Sequence, residues 1–430
     1  MRRFFRWALI KRFLLSLRDD GVRVSLRKAR NYISLQRQDG LASVLSEPDE
    51  PVNGYLHGVW ADMARGGGFH VARRLSEGRR IALIGDLNLP QCRKYRVEQM
   101  AEFWASQGVP CDFAHYEDVP RAAQLLQNAT HLCEYRLKVC PETTTLRYEA
   151  RRMGLPVLYD IDDPLFSVSA YGTYQNMKML DPWLETHFMS EAPKYAGLMN
   201  AADMISVSTP GLVEHAGLYT RRPVVLRRNF ADRDTLETGA AIMAARPDPD
   251  ALFRVVFASG SQGHEADFEL IADEVEAFVM ADPRRRLIVL GHFRADALPS
   301  GLKKQTEVVK FTTYDAYLSH VAQADVALMP LQDDLFNRCK SAVRVIDAAS
   351  VGVVSIVSDV GDLPNLVKDG ETGIVARSPE DWSRALNMLA ANPDQTSTMK
   401  QAARQWLETH WAGQAEPHVI APELLEWVRG

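Results

Sequence analysis

The sequence predicts an α/β protein with two consecutive parallel sheets and covering helices. Three observations predict this class. The chain has 430 residues, more than the roughly 250–300 at which a single core stops growing. Short apolar runs flanked by turn residues recur along it, and most of the segments between them are long enough for a helix. Alternating strands and helices at this spacing indicate parallel sheets.

The first domain is predicted over residues 78–240 from six apolar runs. These are IALIG (81–85), CDFAH (111–115), THLCE (130–134), PVLYD (156–160), MISVS (204–208) and PVVLR (223–227). The stretch STPGLVEH predicts a helix start, with Ser208 or Thr209 as the cap and Pro210 in the first position. Residues 232–250 end in ARPDPD and are predicted to form a linker.

The second domain is predicted over residues 241–400 from six further runs. They are FRVVFA (253–258), RLIVLG (286–291), EVVKF (307–311), DVALMP (325–330), VVSIVS (353–358) and TGIVA (372–376). Residues 401–430 are expected to form a helical segment that returns to the first domain. Ligands of such sheets bind beyond the carboxyl ends of the strands, so two facing sheets would share one cleft.

Residues 1–77 are predicted to be a basic, partly helical extension. Residues 1–40 contain eleven Lys or Arg and three Asp, a charge of +8, which leaves −13 for the rest of the chain. The body is therefore not expected to bind nucleic acid. The opening residues interleave aromatic and aliphatic side chains with bases, which suits an anionic membrane surface. The alternative is a helix packed on the protein itself, because the bases do not segregate onto one side.

The location predicted from composition is the cytoplasm, either free or peripheral on the inner face of the plasma membrane. The five cysteines are scattered and form no close pairs, which argues against a disulfide framework or a structural zinc site. No apolar run approaches the ~18 residues of a membrane span. The first residues resemble a signal peptide, but Lys11 and Arg12 interrupt them and no cleavage site follows.

The stretch FNRCKSAVRVIDAASVG (336–352) predicts a helix that carries cations near its start. On one helix, Lys340, Arg344 and Asp347 would share a face at i, i+4 and i+7. Two cations at that spacing repel each other. One interpretation is a solvated face on which Asp347 pairs with Arg344. The other is an external anion, because helix N-termini bind phosphate.

A second candidate anion site follows the first strand of the second domain, at ASGSQGHEADFELI. A strand, a glycine-rich turn and a helix suit backbone contacts to phosphate, since Gly260 and Gly263 permit close approach. Gly260, Ser261 and His264 are the residues predicted to lie near the phosphates. Alternatively, the turn is an ordinary connection and His264 is a cap or surface residue.

The second domain resembles retaining glycosyltransferases of family 4 (glycosyltransferase group 1), in particular a subgroup found in bacterial polysaccharide clusters. The segment after Phe336 matches the nucleotide-sugar signature of that family, which has the GT-B fold of two Rossmann-like domains facing a cleft. Asp347 stands at the second Glu of the Glu-x7-Glu pair and Cys339 at the first. The remaining matches are Ser358, Asp359, Gly361, Asp369, Gly370 and Gly373.

The subgroup has a KSxxKxxE-like pattern that Lys340, Ser341, Arg344 and Asp347 resemble, and a Gly-Ser-x-x-His-x-x-Asp pattern matched from Gly260 to Asp267. By this likeness, Lys340 and Arg344 would face the diphosphate, Asp347 would bind ribose hydroxyls, and Ser341 would belong to the donor site. Cys339 departs from the family because a thiol is a weak acceptor.

The first domain offers GLPVLYDIDDPLF, with Asp160, Asp162 and Asp163 at the end of a strand. Three close carboxylates repel one another, so a partner must offset the cost. One interpretation is a divalent metal at Asp160 and Asp162. The favoured one is a polar wall of an acceptor pocket, and Asp163 could equally cap the turn before Pro164.

The resemblance extends to Cys92, Tyr95 and Arg96, a Cys-x-x-Tyr-Arg pattern in which Arg96 could meet donor phosphates or an acidic acceptor. The alternative is a core Tyr and a surface Arg. The likeness covers about residues 80–400 and is absent from residues 1–75.

The function implied by the resemblance is transfer of a sugar from a nucleotide-diphosphate sugar to a glycan or lipid-linked glycan in bacterial surface polysaccharide synthesis. It implies retention of configuration with no metal or other cofactor. Two other functions remain open. One is a non-catalytic nucleotide-sugar-binding or scaffold protein, made plausible by Cys339 and by the shortened side chain of Asp347 in place of Glu. The other is a GT-B nucleotide-sugar epimerase.

Overall fold

The computed structural model describes residues 10, 13–18, 21–23, 25–26, 29–30, 78–246, 250–260, 263–294, 297–310, 312–413 and 416–429. The chain divides into two compact units, Met1–Ala61 and Asp62–Gly430. In the first unit the described residues are helical, and Ser25 Oγ donates to the Gly21 carbonyl at 2.9 Å. Most of the predicted membrane-facing segment lies outside the described residues. No helix among the described ones is long and apolar enough to cross a bilayer.

The second unit contains two six-stranded sheets in which every strand pairing is parallel. The first sheet has the order β2-β1-β3-β4-β5-β6 and defines the first lobe, and the second has the order β12-β11-β10-β7-β8-β9 and defines the second lobe. All twelve strands lie at the predicted apolar runs. They are β1 Ile81–Gly85, β2 Cys111–His115, β3 His131–Tyr135, β4 Val157–Ile161, β5 Met204–Val207, β6 Val224–Leu226, β7 Phe253–Gly260, β8 Arg285–Gly291, β9 Thr306–Val309, β10 Val326–Met329, β11 Val354–Ser358 and β12 Gly373–Ala376.

Helices cover both sheets. In the first lobe they are α1 Pro90–Cys92, which continues through a π-helical turn Arg93–Glu98 into α2 Gln99–Ser106, then α3 Val119–Asn128, α4 Pro141–Arg152, α5 Val168–Thr173, a 3-10 turn Gln175–Met179, α6 Pro182–Asn200, α7 Pro210–Gly217 and α8 Arg233–Ala244. From there on they are α9 Glu265–Glu269, α10 Ala272–Met280, a 3-10 turn Leu302–Lys304, α11 Tyr314–Val321, α12 Leu335–Arg338, α13 Val343–Ser350, α14 Leu363–Leu366, α15 Pro379–Ala391, α16 Pro393–His410 and α17 Pro422–Arg429.

Helix capping explains two of these elements. Thr209 accepts a hydrogen bond from Leu212 N and Pro210 opens α7, so that prediction is confirmed. The predicted linker over residues 232–250 is wrong in its first half, where α8 forms. The Asp232 side chain caps this helix by accepting from Thr235 N at 2.8 Å.

The end of the chain contacts the first lobe. His131 Nε2 lies 3.1 Å from the Trp427 carbonyl oxygen, and the Arg429 guanidinium donates to Gln107 at 2.8 Å. Arg227, which follows β6, pairs with Ile420 in an antiparallel bridge. The final helix α17 therefore buries one face against the lobe that begins the second unit.

Candidate active site

The site lies where the strand order of the second sheet reverses. The chain runs from β7 outward to β9 and then returns to the other side of β7 with β10. Loops at the carboxyl ends of two such strands open a crevice between them. Gly260 ends β7 at this crevice, and the loops after β10 lead to Lys340. Ser261 lies outside the described residues.

The predicted continuous helix through Lys340 is wrong, because two short helices replace it. Asp334 caps α12 by accepting from Asn337 N, and that helix ends at Arg338. Helix α13 begins only at Val343. Lys340 therefore lies in the connection and does not share a helix face with Arg344. Its amide donates to the Asn337 carbonyl at 3.0 Å, which holds the turn.

Lys340 lies between the two lobes. Its Nζ donates to the hydroxyl of Tyr174, a first-lobe residue, at 2.7 Å. The same ammonium lies 4.8 Å from the Tyr174 ring centroid and 5.7 Å from that of Phe336. Among the described residues, no carboxylate oxygen comes within 4.0 Å of it. Burial disfavours its charge, but Tyr174, Asp267 and Asp163 favour it and raise the pKa of Lys340 above its ordinary value.

Arg344 stands in the first turn of α13, beside the end of β7. Its Nη1 donates to the Ala258 carbonyl at 2.7 Å. One of its five N–H donors is thereby used to fix the guanidinium at the crevice. Arg344 and Lys340 thus approach the same crevice from different elements, although not on one helix face.

His264 and Asp267 form a buried pair beside Lys340. His264 Nδ1 lies 2.8 Å from Asp267 Oδ2. Burial, together with the charges of Lys340 and Arg344, lowers the pKa of His264 to about 4, so the imidazole is neutral near pH 7. Burial opposes ionisation of Asp267, but hydrogen bonds from His264 and Asn176 and the charge of Lys340 lower its pKa to about 2.

Asp347 is buried within a group of tyrosine hydroxyls. Its Oδ1 accepts from Tyr95 of the first lobe and from Tyr314 of the second at 2.7 Å. Burial raises the pKa of Asp347 to about 6, although hydrogen bonds from Tyr95, Tyr314 and Tyr317 oppose the shift. The predicted acceptor-side Tyr95 and the predicted donor-side Asp347 are therefore in direct contact.

Arg96 and Asp160 do not reach the cleft, which corrects their predicted acceptor-side role. Arg96 forms a bidentate pair with Asp160, with Nε–Oδ1 at 2.9 Å and Nη2–Oδ2 at 2.6 Å. Arg227 and Ser206 also donate to the same carboxylate. Both oxygens of this buried carboxylate already accept hydrogen bonds from the first lobe, so it is not open to a substrate or a metal.

Asp162 and Asp163 follow β4 and meet Arg136, which follows β3. Arg136 Nη1 lies 3.3 Å from Asp162 Oδ1 and 3.7 Å from Asp163 Oδ2. Burial and the charge of Asp162 raise the pKa of Asp163. Arg136 has a φ of 53°, which is uncommon for a residue other than glycine and is associated with functional sites.

The alternative interpretation of Asp160 and Asp162 as a metal pair, which the sequence did not favour, does not fit this geometry, because Asp160 is paired with the two arginines. Within the described ranges, no group of three or more His, Cys, Asp or Glu side chains could hold a metal ion.

Two predicted positions of the second lobe contact the first lobe. Ser341 Oγ accepts from the Asn229 side-chain amide at 2.9 Å. The Cys339 carbonyl accepts from Thr209 Oγ1 at 2.8 Å, and its thiol lies 3.8 Å from the Gly211 carbonyl. Cys339 is buried in the core of the first lobe rather than in the crevice.

Three residues near the site have no counterpart in the predicted motifs, namely Tyr174, Asn176 and Arg136. Tyr174 and Asn176 stand in the stretch AYGTYQNM, in which no charge cluster or glycine pattern marks a ligand site. Arg136 stands directly after a strand, which was the one available signal. Their roles follow from contacts between segments that are distant in sequence.

Comparison with known proteins gives one family match within the second lobe. Residues 253–392 match the family described as "Glycosyl transferases group 1". The chain is 28% identical over 220 residues to a D-inositol 3-phosphate glycosyltransferase of Streptomyces bingchenggensis, covering 46% of this chain and 47% of the relative. The chain thus spans about half the length of this curated relative.

Solved structures resemble the chain over most of its length. Sucrose-phosphate synthase from Thermosynechococcus elongatus has a TM-score of 0.55, with 15% identity, over 82% of this chain and 98% of that one. Anabaena Alr3699/HepE, in complex with UDP-glucose, has a TM-score of 0.54, with 12% identity, over 81% and 99%. The chain has the GT-B fold, as the sequence predicted, and the family match supports a transferase.

Proposed function

We propose that this chain is a glycosyltransferase that moves a sugar from a nucleotide-diphosphate sugar to a glycan or lipid-linked glycan acceptor, in bacterial surface polysaccharide synthesis. The family match over residues 253–392 supports the reaction class. A structural neighbour was solved with UDP-glucose, which supports a nucleotide-sugar donor.

The observation that carries the proposal is the position of Lys340. Its largely enclosed ammonium donates a hydrogen bond to the Tyr174 hydroxyl, and the carboxylates of Asp267 and Asp163 stabilise its charge without an ion-pair contact. An ammonium has three N–H donors, so this one can also donate to an anion that enters the crevice. Arg344 adds a second cation, whereas the neighbouring His264 is neutral and the ionised Asp267 offsets only one positive charge. A ligand anion in the crevice would balance the excess positive charge of Lys340 and Arg344. A diphosphate has the required negative charge and hydrogen-bond acceptors.

The proposed chemistry is electrostatic. When the bond between sugar and diphosphate breaks, negative charge grows on the departing phosphate oxygens, and Lys340, Arg344 and the N-terminus of α13 would stabilise it. Fixed charges of this kind can supply much of a rate enhancement. We propose retention through attack of the acceptor hydroxyl from the leaving-group side, with its proton passing to the departing phosphate oxygen, which needs no nucleophile from the protein. With two cations in this role, the reaction is proposed to need no metal or other cofactor.

The proposed ribose contact at Asp347 has a structural consequence. Its Oδ1 already accepts from Tyr95 and Tyr314. A ribose hydroxyl that used this oxygen would have to replace one of the tyrosine hydroxyls. Replacing Tyr95 would loosen a contact between the lobes, so donor binding and lobe movement would be linked.

On the acceptor side, Asp162 and Asp163 remain the proposed residues of the first lobe, with Arg136 between them. They stand at the carboxyl end of β4, where ligands of parallel sheets bind. The acceptor is proposed to reach them at the inner face of the plasma membrane, where residues 1–40 would contact anionic lipid.

The experiment is a thermal-stabilisation screen of nucleoside diphosphates and nucleotide sugars, followed by product analysis by NMR with glycan and lipid-linked acceptors. A preferred nucleotide and transfer of its sugar are expected, with the anomeric configuration kept. No stabilisation by any nucleotide would overturn the proposal. Binding without sugar release would indicate a sensor or scaffold, and free nucleotide formed without an acceptor would indicate an epimerase.

A further inference from the structure

A segment of the first lobe reaches the candidate site of the second. It consists of α5, Tyr174 and the following 3-10 turn Gln175–Met179. The Tyr174 ring stacks on Phe336, with centroids 4.1 Å apart and planes 11° apart. The backbone N–H of Gln175 donates to Asp334 Oδ2 at 3.2 Å. These contacts fix the position of the next residue, Asn176.

The orientation of the Asn176 amide follows from its neighbour. Its Nδ2 lies 2.7 Å from Asp267 Oδ2. An ionised carboxylate can only accept hydrogen bonds, so the nitrogen must face Asp267 and the oxygen must face away from it. Gly263 allows the main chain of the second lobe to approach this segment closely, because a Cβ at that position would lie 2.8 Å from the main-chain carbonyl oxygen of Asn176.

The side-chain oxygen of Asn176 is buried without a hydrogen-bond partner. The residue is 1% exposed, and no described residue donates to Oδ1. Buried polar groups are rarely left unpaired, because an unmade hydrogen bond carries the full cost of desolvation. The missing donor is therefore expected to be a group that enters the site.

The surroundings indicate what kind of group this is. Asn176 Nδ2 is 3.4 Å from the Tyr174 hydroxyl, which in turn accepts from Lys340. An acceptor of hydroxyl hydrogens thus stands next to the ammonium assigned above to a phosphate. A molecule that carries a hydroxyl close to a phosphate satisfies both, and a glycosyl phosphate is such a molecule.

We propose that Asn176 Oδ1 accepts a hydrogen bond from a hydroxyl of the donor sugar, so that this first-lobe residue determines which sugar is used. The inference rests on the proposed function, since it requires a nucleotide sugar in the crevice. Because Asn176 belongs to the first lobe and Lys340 to the second, the sugar is recognised only when the lobes are together. A site that is left with an unpaired buried acceptor rejects a sugar that lacks the matching hydroxyl.

The test measures two dissociation constants for each protein by isothermal titration calorimetry. The probes are UDP with UDP-glucose and UDP-N-acetylglucosamine, and GDP with GDP-mannose. In Asn176→Ala, the Kd of the nucleotide sugar preferred by the wild type is expected to rise about tenfold. The Kd of the matching free nucleotide should change less than about twofold. Gln175→Ala is the matched control, because its backbone N–H keeps the bond to Asp334, and both constants should stay at wild-type values.

Equal weakening of nucleotide and nucleotide sugar in Asn176→Ala would overturn the inference, since it would show that Asn176 only holds the lobes together around a water. Deoxy forms of the preferred sugar provide a second test on the wild-type protein. One of them should bind about tenfold more weakly than the parent, and wild-type affinity for all of them would also overturn the inference. If no nucleotide bound the wild type, the proposed function itself would fail, which is a distinguishable result.

Discussion

Replacing Lys340 by Met removes the ammonium at the meeting of the lobes and keeps an unbranched chain against the rings of Tyr174 and Phe336. The ammonium makes one hydrogen bond, to a phenol, and has no carboxylate partner among the described residues. Its loss should therefore change the free energy of unfolding by no more than about 1 kcal/mol. If it stabilises the departing diphosphate, turnover should fall about 10²- to 10³-fold, or about 3–4 kcal/mol in the barrier.

The assay is release of nucleoside diphosphate at saturating donor and acceptor, combined with urea unfolding of the same samples. Lys368→Met is the matched control, because its Nζ lies 3.6 Å from the Trp406 ring centroid and so loses a similar contact outside the crevice. Turnover of Lys340→Met within about twofold of wild type would show that the ammonium does not assist departure of the diphosphate. A fall in turnover that follows a fall in stability would refute it as well.

Three further predictions concern the supporting structure. Asp160→Asn leaves two buried guanidinium groups without their shared counter-ion and should lower the free energy of unfolding by about 3–5 kcal/mol in urea titration; a loss below about 1 kcal/mol would contradict the buried pair. Burial raises the pKa of Asp347 from 3.8 to about 6 in the folded protein, so the unfolded state binds fewer protons between these two pH values. The free energy of unfolding should therefore fall as the pH rises from about 4 to about 6. The fall should be about 3 kcal/mol larger than in Asp347→Asn, which lacks this proton. Parallel stability profiles of the two proteins would contradict that assignment. Gly211→Ala places a Cβ against the main-chain carbonyl oxygen of Arg338, across the contact between the lobes, and should reduce turnover. The control is Gly217→Ala on the same helix, whose Cβ would meet nothing within 4 Å, and it should be neutral or stabilise the protein by up to about 1 kcal/mol. Equal turnover of the two variants would show that the contact at Gly211 does not matter for the reaction.

The two-sheet architecture could be predicted because its signals are local. Each strand is a short apolar run bounded by turn residues. The run IALIG (81–85), for example, coincides with strand β1. The cap at Thr209 is local in the same sense. The helix α8 was missed because the capping signal at Asp232 lies within a stretch whose end, ARPDPD, is typical of a linker.

The site could be predicted only in part, because its remaining features depend on contacts across the fold. Arg96 and Asp160 carry the charges expected at a ligand site, but the sequence cannot distinguish a charge that faces a cleft from one paired in the interior. The break before Lys340 depends on the Asp334 cap, which stands outside the stretch that predicted the helix. Asn176 donates a hydrogen bond to Asp267, which is 91 positions away in the sequence. A contact between residues so far apart cannot be predicted from the spacing of residues in a motif.

A crystal structure of the protein with the nucleoside diphosphate that stabilises it most would test the proposed phosphate site at Lys340 and Arg344 directly. We expect terminal phosphate oxygens within hydrogen-bonding distance, about 3 Å, of Lys340 Nζ and of the Arg344 guanidinium. A nucleotide bound elsewhere, with the Lys340 ammonium still donating to Tyr174 and no phosphate oxygen beside it, would show that these two cations do not form the phosphate site.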